Sequence, residues 1–218
     1  MEQIVSVVGT GLRFAGYGLL PLLLLPLAIL AIPKPLGGLS EKLSVGIDRI
    51  SGVAMGFALT AGFLIILIQL AAVLLRYVFG LSFSWLNDSV IFTFAMMFML
   101  GAAATLRDDG HVRVDILRPR FSPKVKAGIE MFGSLVFIVP IGVLILYAGS
   151  GLISRSWIGL EHFNESDGLP IKYLFKTMVP LFAILMIGQA LSQAIKAALV
   201  IRGLRQADAD SDHSAEAL

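Results

Sequence analysis

Five stretches of this 218-residue chain, at about 14–33, 50–75, 89–106, 131–154 and 177–195, contain no Asp, Glu, Lys, Arg or His. Each is close to the ~17–25 apolar residues that a helix needs to cross about 30 Å of hydrocarbon. The runs are continuously apolar rather than alternating, so they read as helices and not as barrel strands. Inside lipid a helix satisfies its own backbone hydrogen bonds. Composition agrees: 57% hydrophobic residues, 15% charged residues and a mean hydropathy of +0.87 describe a membrane protein. The expected fold is an all-α integral membrane protein with five spans.

The first run, after Arg13, also has the look of a signal peptide. It is longer than a usual signal core, however, and "LAILAIPKP" offers no clean small-x-small cleavage site. A retained span is expected, kinked at Pro21 and Pro26. The cations then set the orientation. Lys34, Lys42, Arg49, Arg107, Arg113, Arg118, Arg120, Lys124, Lys126, Lys196, Arg202 and Arg205 fall on one side, against Arg13, Arg76, Arg155, Lys172 and Lys176 on the other. Twelve against five predicts a cytoplasmic C-terminus and a periplasmic N-terminus.

The connections have shapes of their own. "RDDGHVRVDILRPR" at 107–120 is a polar knot between two greasy runs, and its cations are enough to hold it on the cytoplasmic side. In "FSPKVKAGIE", Ser122 as N-cap and Pro123 at the first helical position predict a helix start that runs into the fourth span. Leu39, Leu43, Ile47 and Ile50 share one helical stripe with Glu41 and Asp48 opposite, which predicts an interfacial amphipathic helix over 34–49. The chain thus divides into an N-terminal extension, 1–33, the interfacial helix, a membrane domain over 50–203 and a disordered acidic tail over 204–218.

Chemistry is hard to find. There is no cysteine, which removes thiolate metal sites, iron–sulfur clusters and cysteine nucleophiles. His111, His162 and His213 all lie outside the apolar runs, so no pair of histidines can hold a haem between helices. "AGSG" at 148–151 has no histidine in a later span to activate Ser150. A net charge of +2 does not indicate a nucleic-acid partner. No catalytic residue, metal or cofactor is expected. Gly52 and Gly56 have the spacing that lets helices approach closely, and Gln69, Gln189 and Gln193 read as interhelical hydrogen-bonding groups. No internal repeat of the kind found in autonomous transporters is visible.

From about residue 42 to 203 the order of landmarks resembles the small integral-membrane, DctQ-like subunit of TRAP (tripartite ATP-independent periplasmic) transporters. The resemblance rests on "RYVFGLSFSWLNDS" at 76–89, "GAAATLRDDGHVRVDIL" at 101–117, "SW" at 156–157 and "GLPIKYLFKTMVP" at 168–180. The later stretches are similar to the branch labelled mannitol or chloroaromatic type, a label that names no substrate. Within these motifs the resemblance marks Arg76, Tyr77, Gly80, Trp85 and Asp88 as partner-contact candidates. From the second stretch it adds Gly110, His111, Arg113 and Asp115, and from the last part Trp157, Glu161, Gly168, Pro170, Lys176 and Pro180. Asp88 departs from the family, which usually carries Glu there. The family has four spans, so the run at 14–33 is an addition to its four-helix core.

The resemblance implies a division of labour in a bacterial inner membrane. A periplasmic substrate-binding protein captures an organic acid, a large membrane subunit carries it with sodium, and the small subunit, which is not an enzyme, braces the immobile part. Its partners would be those two proteins and the lipid bilayer. The competing readings are a self-sufficient small secondary carrier or channel and, behind it, a membrane-anchored enzyme or redox subunit.

Overall fold

Inside hydrocarbon a single segment can pair all its backbone groups only as a helix, and every regular element among the described residues is helical. The computed structural model describes residues 24–31, 33–111, 121–163 and 167–205. The elements are α1 (Leu25–Ala31), α2 (Pro33–Phe79), α3 (Ser84–Arg107), α4 (Pro123–Gly133), a π-helical turn (Ser134–Ile138), α5 (Val139–Ile158) and α6 (Lys172–Ile201). Four stretches are long and apolar enough to cross a membrane: Gly37–Phe79, Ser84–Arg107, Pro123–Ile158 and Lys172–Ile201. They correspond to the second to fifth expected runs. Of the first expected run, at 14–33, the short α1 packs on α6, with Pro26 and Ile29 buried, and residues 1–23 lie outside the described residues. The same holds for most of the acidic tail.

At about 1.5 Å per residue, the 47 residues of α2 extend roughly 70 Å, more than twice the hydrocarbon thickness. The amphipathic stretch over 34–49 is therefore the first part of one unbroken helix. Its buried stripe also differs from the expected one. Leu39 and Ile50 are exposed, whereas Ser40, Ser44, Ser51, Ala54, Ala58 and Ala61 are buried. With part-buried Ile47 these positions alternate in steps of four and three, the spacing of a left-handed helix pair. Small side chains let the backbones approach, which matters where lipid is as apolar as the helices themselves. Gly80 ends α2 in the left-handed region at φ 70°, turning the chain so that the Leu81 N–H meets the Leu75 carbonyl at 3.0 Å.

Ser122 and Pro123 start α4 as expected. From there the helix runs on through the π turn, which ends two residues before Pro140. Proline lacks an N–H and its ring crowds the preceding turn. The widened turn, closed by the Val139 N–H on the Ser134 carbonyl, accommodates it. Helix α6 is the centre of the bundle, packed against every other element, and Ala183, Ile187, Ala190, Leu191, Ala194 and Ile195 are almost fully buried. It ends in a Schellman turn: Gly203 has φ 70°, the Leu204 N–H reaches the Leu199 carbonyl and the Gly203 N–H that of Val200.

Among the described glycines, the closest approach to another helix is between α5 and α6. A Cβ at Gly142 would lie 2.5 Å from Ile187 Cγ1 and 2.9 Å from its Cδ1. Ile187 is wholly buried, stiff at χ1 and has nowhere to go. Gly142→Ala should therefore lower stability by about 1–3 kcal/mol, the usual scale of overpacking. Adding Ile187→Ala, which removes the obstructing carbons, should make the double variant less destabilised than the two single effects together. Thermal unfolding of the purified variants checks this.

Candidate functional site

Polar side chains gather at both ends of the bundle and tie different helices together at each. At the first end Asp48 of α2 faces α6, not the polar face expected for it opposite the apolar stripe. Its Oδ2 meets Lys196 Nζ at 2.6 Å. Its Oδ1 accepts hydrogen bonds from Gln189 Nε2 at 3.0 Å and Ser192 Oγ at 2.8 Å. One turn on, Ser51 donates to Gln189 Oε1 at 2.6 Å. Arg107, at the end of α3, donates to the main-chain carbonyl of Asp48 at 3.0 Å and grips Asp108 with Nε at 2.7 Å and Nη2 at 2.9 Å. Those bonds hold the Asp108 carboxyl below its usual range. Gln193 Nε2 donates to the Leu106 carbonyl. Gln189 and Gln193 thus make the interhelical bonds expected of them, whereas Gln69, read the same way, is exposed on α2 and makes none among the described residues.

Sequence reasoning missed the Asp48 cluster because Asp48 and Lys196 sit just outside the charge-free runs. A signal was present. Gln189, Ser192, Gln193 and Lys196 follow the i, i+3, i+4, i+7 spacing of one helix face, and Ser40, Ser44, Asp48 and Ser51 mark another. Two polar faces of that kind in a membrane protein have to find each other or water.

At the other end, three of the motif segments converge. Asp88 is buried, and its Oδ2 accepts the Leu169 N–H at 3.0 Å. Asp167 Oδ2 accepts the Ser84 N–H at 2.9 Å, serving the start of α3, where Phe83 offers no side-chain cap. That bond holds the Asp167 carboxyl below its usual range. Glu161 Oε2 accepts from Lys176 Nζ and, at 2.7 Å, from Ser156 Oγ, while Oε1 pairs with Lys172 at 3.1 Å. The Trp157 indole N–H donates to Thr177 Oγ1 at 2.9 Å, and its ring meets Tyr173 edge-on with centroids 4.9 Å apart. Gly168 and Pro170 lie in the turn that carries Asp167 and Leu169 to α3. Pro180 is buried two turns into α6, where its missing N–H leaves the Lys176 carbonyl without the usual helical donor.

Arg76 and Tyr77 are exposed on the last turns of α2, and Trp85 is 43% exposed beside Phe83. Gly110 and His111 belong to the opposite end, separated from Asp88 by most of α3, whose 24 residues extend about 36 Å. There the Gly110 N–H bonds the Thr105 carbonyl, and His111 is exposed. Arg113 and Asp115 lie outside the described residues.

Two outcomes follow from these contacts. Removing either partner of the Asp48–Lys196 pair leaves a part-buried charge without its counterion, so Asp48→Asn and Lys196→Met should each destabilise the bundle. The double variant should be milder than the sum, with a coupling of about 0.5–3 kcal/mol in a double-mutant cycle. The second outcome concerns acid. Lys176 foremost, with Ser156 and Lys172, lowers the Glu161 carboxyl from 4.5 to about 2. A depressed carboxylate favours the folded state above its unfolded value and loses that contribution as pH falls through the folded one. The stability difference between the wild type and Glu161→Gln should be constant above pH 4.5 and vanish toward pH 2. Fluorescence of Trp157, which packs on Tyr173 beside Lys172 and Lys176, reports it.

The family described as "DctQ: Tripartite ATP-independent periplasmic transporters, DctQ component" matches residues 65–199, from the second half of α2 to near the end of α6. No curated protein and no solved structure matches the chain. The matched residues hold the whole α6 face of the first cluster, though not Asp48 or Ser51 of α2, and all of the convergent segments at the second end. With four apolar helices of spanning length and that match over more than half its residues, the chain is a multi-pass membrane protein that belongs to the DctQ family, a component of the tripartite ATP-independent periplasmic transporters.

Proposed function

We infer that this chain is the non-catalytic small membrane subunit of a sodium-coupled TRAP transporter, bracing the large membrane subunit and helping the periplasmic substrate-binding protein dock for organic-acid uptake. The observation that carries the reading is the contrast between the two sides of the spans. Only 11% of the apolar window of α2 is buried, against 33% in α3 and α6. Phe63, Ile66, Leu70, Leu74 and Val78 are all exposed, and on α5 so are Ile141, Leu144 and Tyr147. The ionisable and amide groups on the inner side are meanwhile engaged with one another. A wide apolar exterior on a bundle tied from within suits a part that stays still while a partner moves against it.

The family supports a bacterial inner membrane location, and the twelve-to-five cation split supports an orientation with the Asp48 end in the cytoplasm and the Trp157 end in the periplasm. The later motif stretches support the mannitol or chloroaromatic branch. At the Trp157 end Asp88 is buried and Glu161 is held by two lysines. Docking of the binding protein therefore falls to the exposed Asp167, His162 and Leu160 around them, with complementary charge steering the encounter.

Liposomes reconstituted with the large subunit, this chain, the binding protein and an imposed sodium gradient test the reading. Uptake should need all three proteins and sodium, and this chain alone should give none. Uptake by this chain alone would install a self-sufficient carrier or channel in its place. Undiminished uptake without the chain would remove the brace.

A further inference from the structure

Arg76 stands in a recess of about 170 Å³ between the end of α2 and the start of α3, with Gln69, Ser82 and Asn87 around it. At about 30 Å³ for each water, that is room for several water-sized groups, enough to admit one PO₄ unit with space to spare. The recess is rich in donors: a guanidinium fork, two side-chain amides and a hydroxyl. Among the described residues no carboxylate pairs with Arg76. Among the described residues the acids at this end are engaged elsewhere, Asp88 with Leu169, Asp167 with Ser84 and Glu161 with Lys172 and Lys176. A single uncompensated cation in such a setting matches a singly charged oxyanion.

The surroundings decide which oxyanion. From the recess an exposed apolar track descends α2 through Val73, Leu70 and Ile66, at helical spacing on one face. Tyr77, which also lines the recess, and Trp85 beside it are the amphipathic rings that settle at the headgroup level of a bilayer. A free anion in water has no use for such a track, and an arginine that merely reached for solvent would need no amides beside it. A group with a charged head and a hydrocarbon tail uses both. We propose that this recess binds the phosphodiester of a membrane phospholipid, with Arg76 gripping the phosphate and the Val73–Leu70–Ile66 face carrying an acyl chain.

The full chain in mild detergent is incubated with phosphatidylglycerol, with a diacylglycerol of the same acyl chains, or with inorganic phosphate, and retained molecules are counted by native mass spectrometry. The wild type should retain phosphatidylglycerol in preference to the other two. Arg76→Gln should reduce that retention about ten-fold, the scale of losing one charge-assisted contact. Ala72→Phe, which fills the recess and keeps the arginine, should do the same, and Arg155→Gln, an exposed cation elsewhere at this end, should not. Equal retention by wild type and Arg76→Gln overturns the proposal. So does equal retention of diacylglycerol, which leaves only an apolar track, or equally tight binding of inorganic phosphate, which makes it a free-anion site. Loss of the large subunit from a co-purified complex on Arg76→Gln, with lipid retention unchanged, would make the recess a protein contact and overturn it as well. The three wild-type arms decide even where a variant fails to fold.

Discussion

The pairing of Asp48 on α2 with Lys196 on α6 sets the register on which the rest of the bundle depends. In lipid, apolar faces gain nothing by leaving their surroundings for one another, so helix association rests on close packing and on hydrogen bonds between helices. A stripe of Ser and Ala permits close packing at several registers, since neighbouring turns are nearly alike. A carboxylate that must meet an ammonium, an amide and a hydroxyl together permits one. With α2 held there, Ala54 and Ala58 fall against Leu100, and Arg107 reaches the Asp48 carbonyl, which draws the end of α3 into the same knot.

The opposite end is held by other means. The turn after α5 returns across the bundle, placing Asp167 on the first N–H of α3 and the Leu169 N–H on Asp88. Glu161 joins the end of α5 to the start of α6 through two lysines. Between the two ends α6 packs against every other element, with Ile187 against the bare backbone of Gly142. The molecule is thus stiffened at its ends and along its axis, while the outer sides of α2 and α5 stay apolar and uncovered. Those faces are the ones left for lipid or another membrane protein.

Much of this was legible beforehand, for reasons that differ by residue. Charge-free length is a local property, so the four spans, the Ser122–Pro123 start of α4 and the all-helical class could be read from single segments. Gln189 and Gln193 could be read as interhelical because amides at membrane depth need partners. The motif segments at 76–89, 156–157 and 168–180 were marked by a family resemblance, and the family is confirmed over residues 65–199. Asp48 was assigned to an outward polar face because its own segment looked amphipathic with Leu39 and Ile50 inward, and both of those are exposed.

The sequence by itself determined that this chain lives in a membrane, that it crosses as helices and where one of them, α4, begins, because hydrocarbon leaves a backbone one way to satisfy itself within a segment. Which faces meet was decided only by the tertiary structure. Asp48 and Lys196 are 148 residues apart in the chain, and neither segment states that the other exists. Glu161, Asp167 and Asp88 each look like an exposed or capping acid until the turn after α5 is seen to fold back over α3. A partner's identity depends on distance in space, and the order of residues along the chain does not contain it.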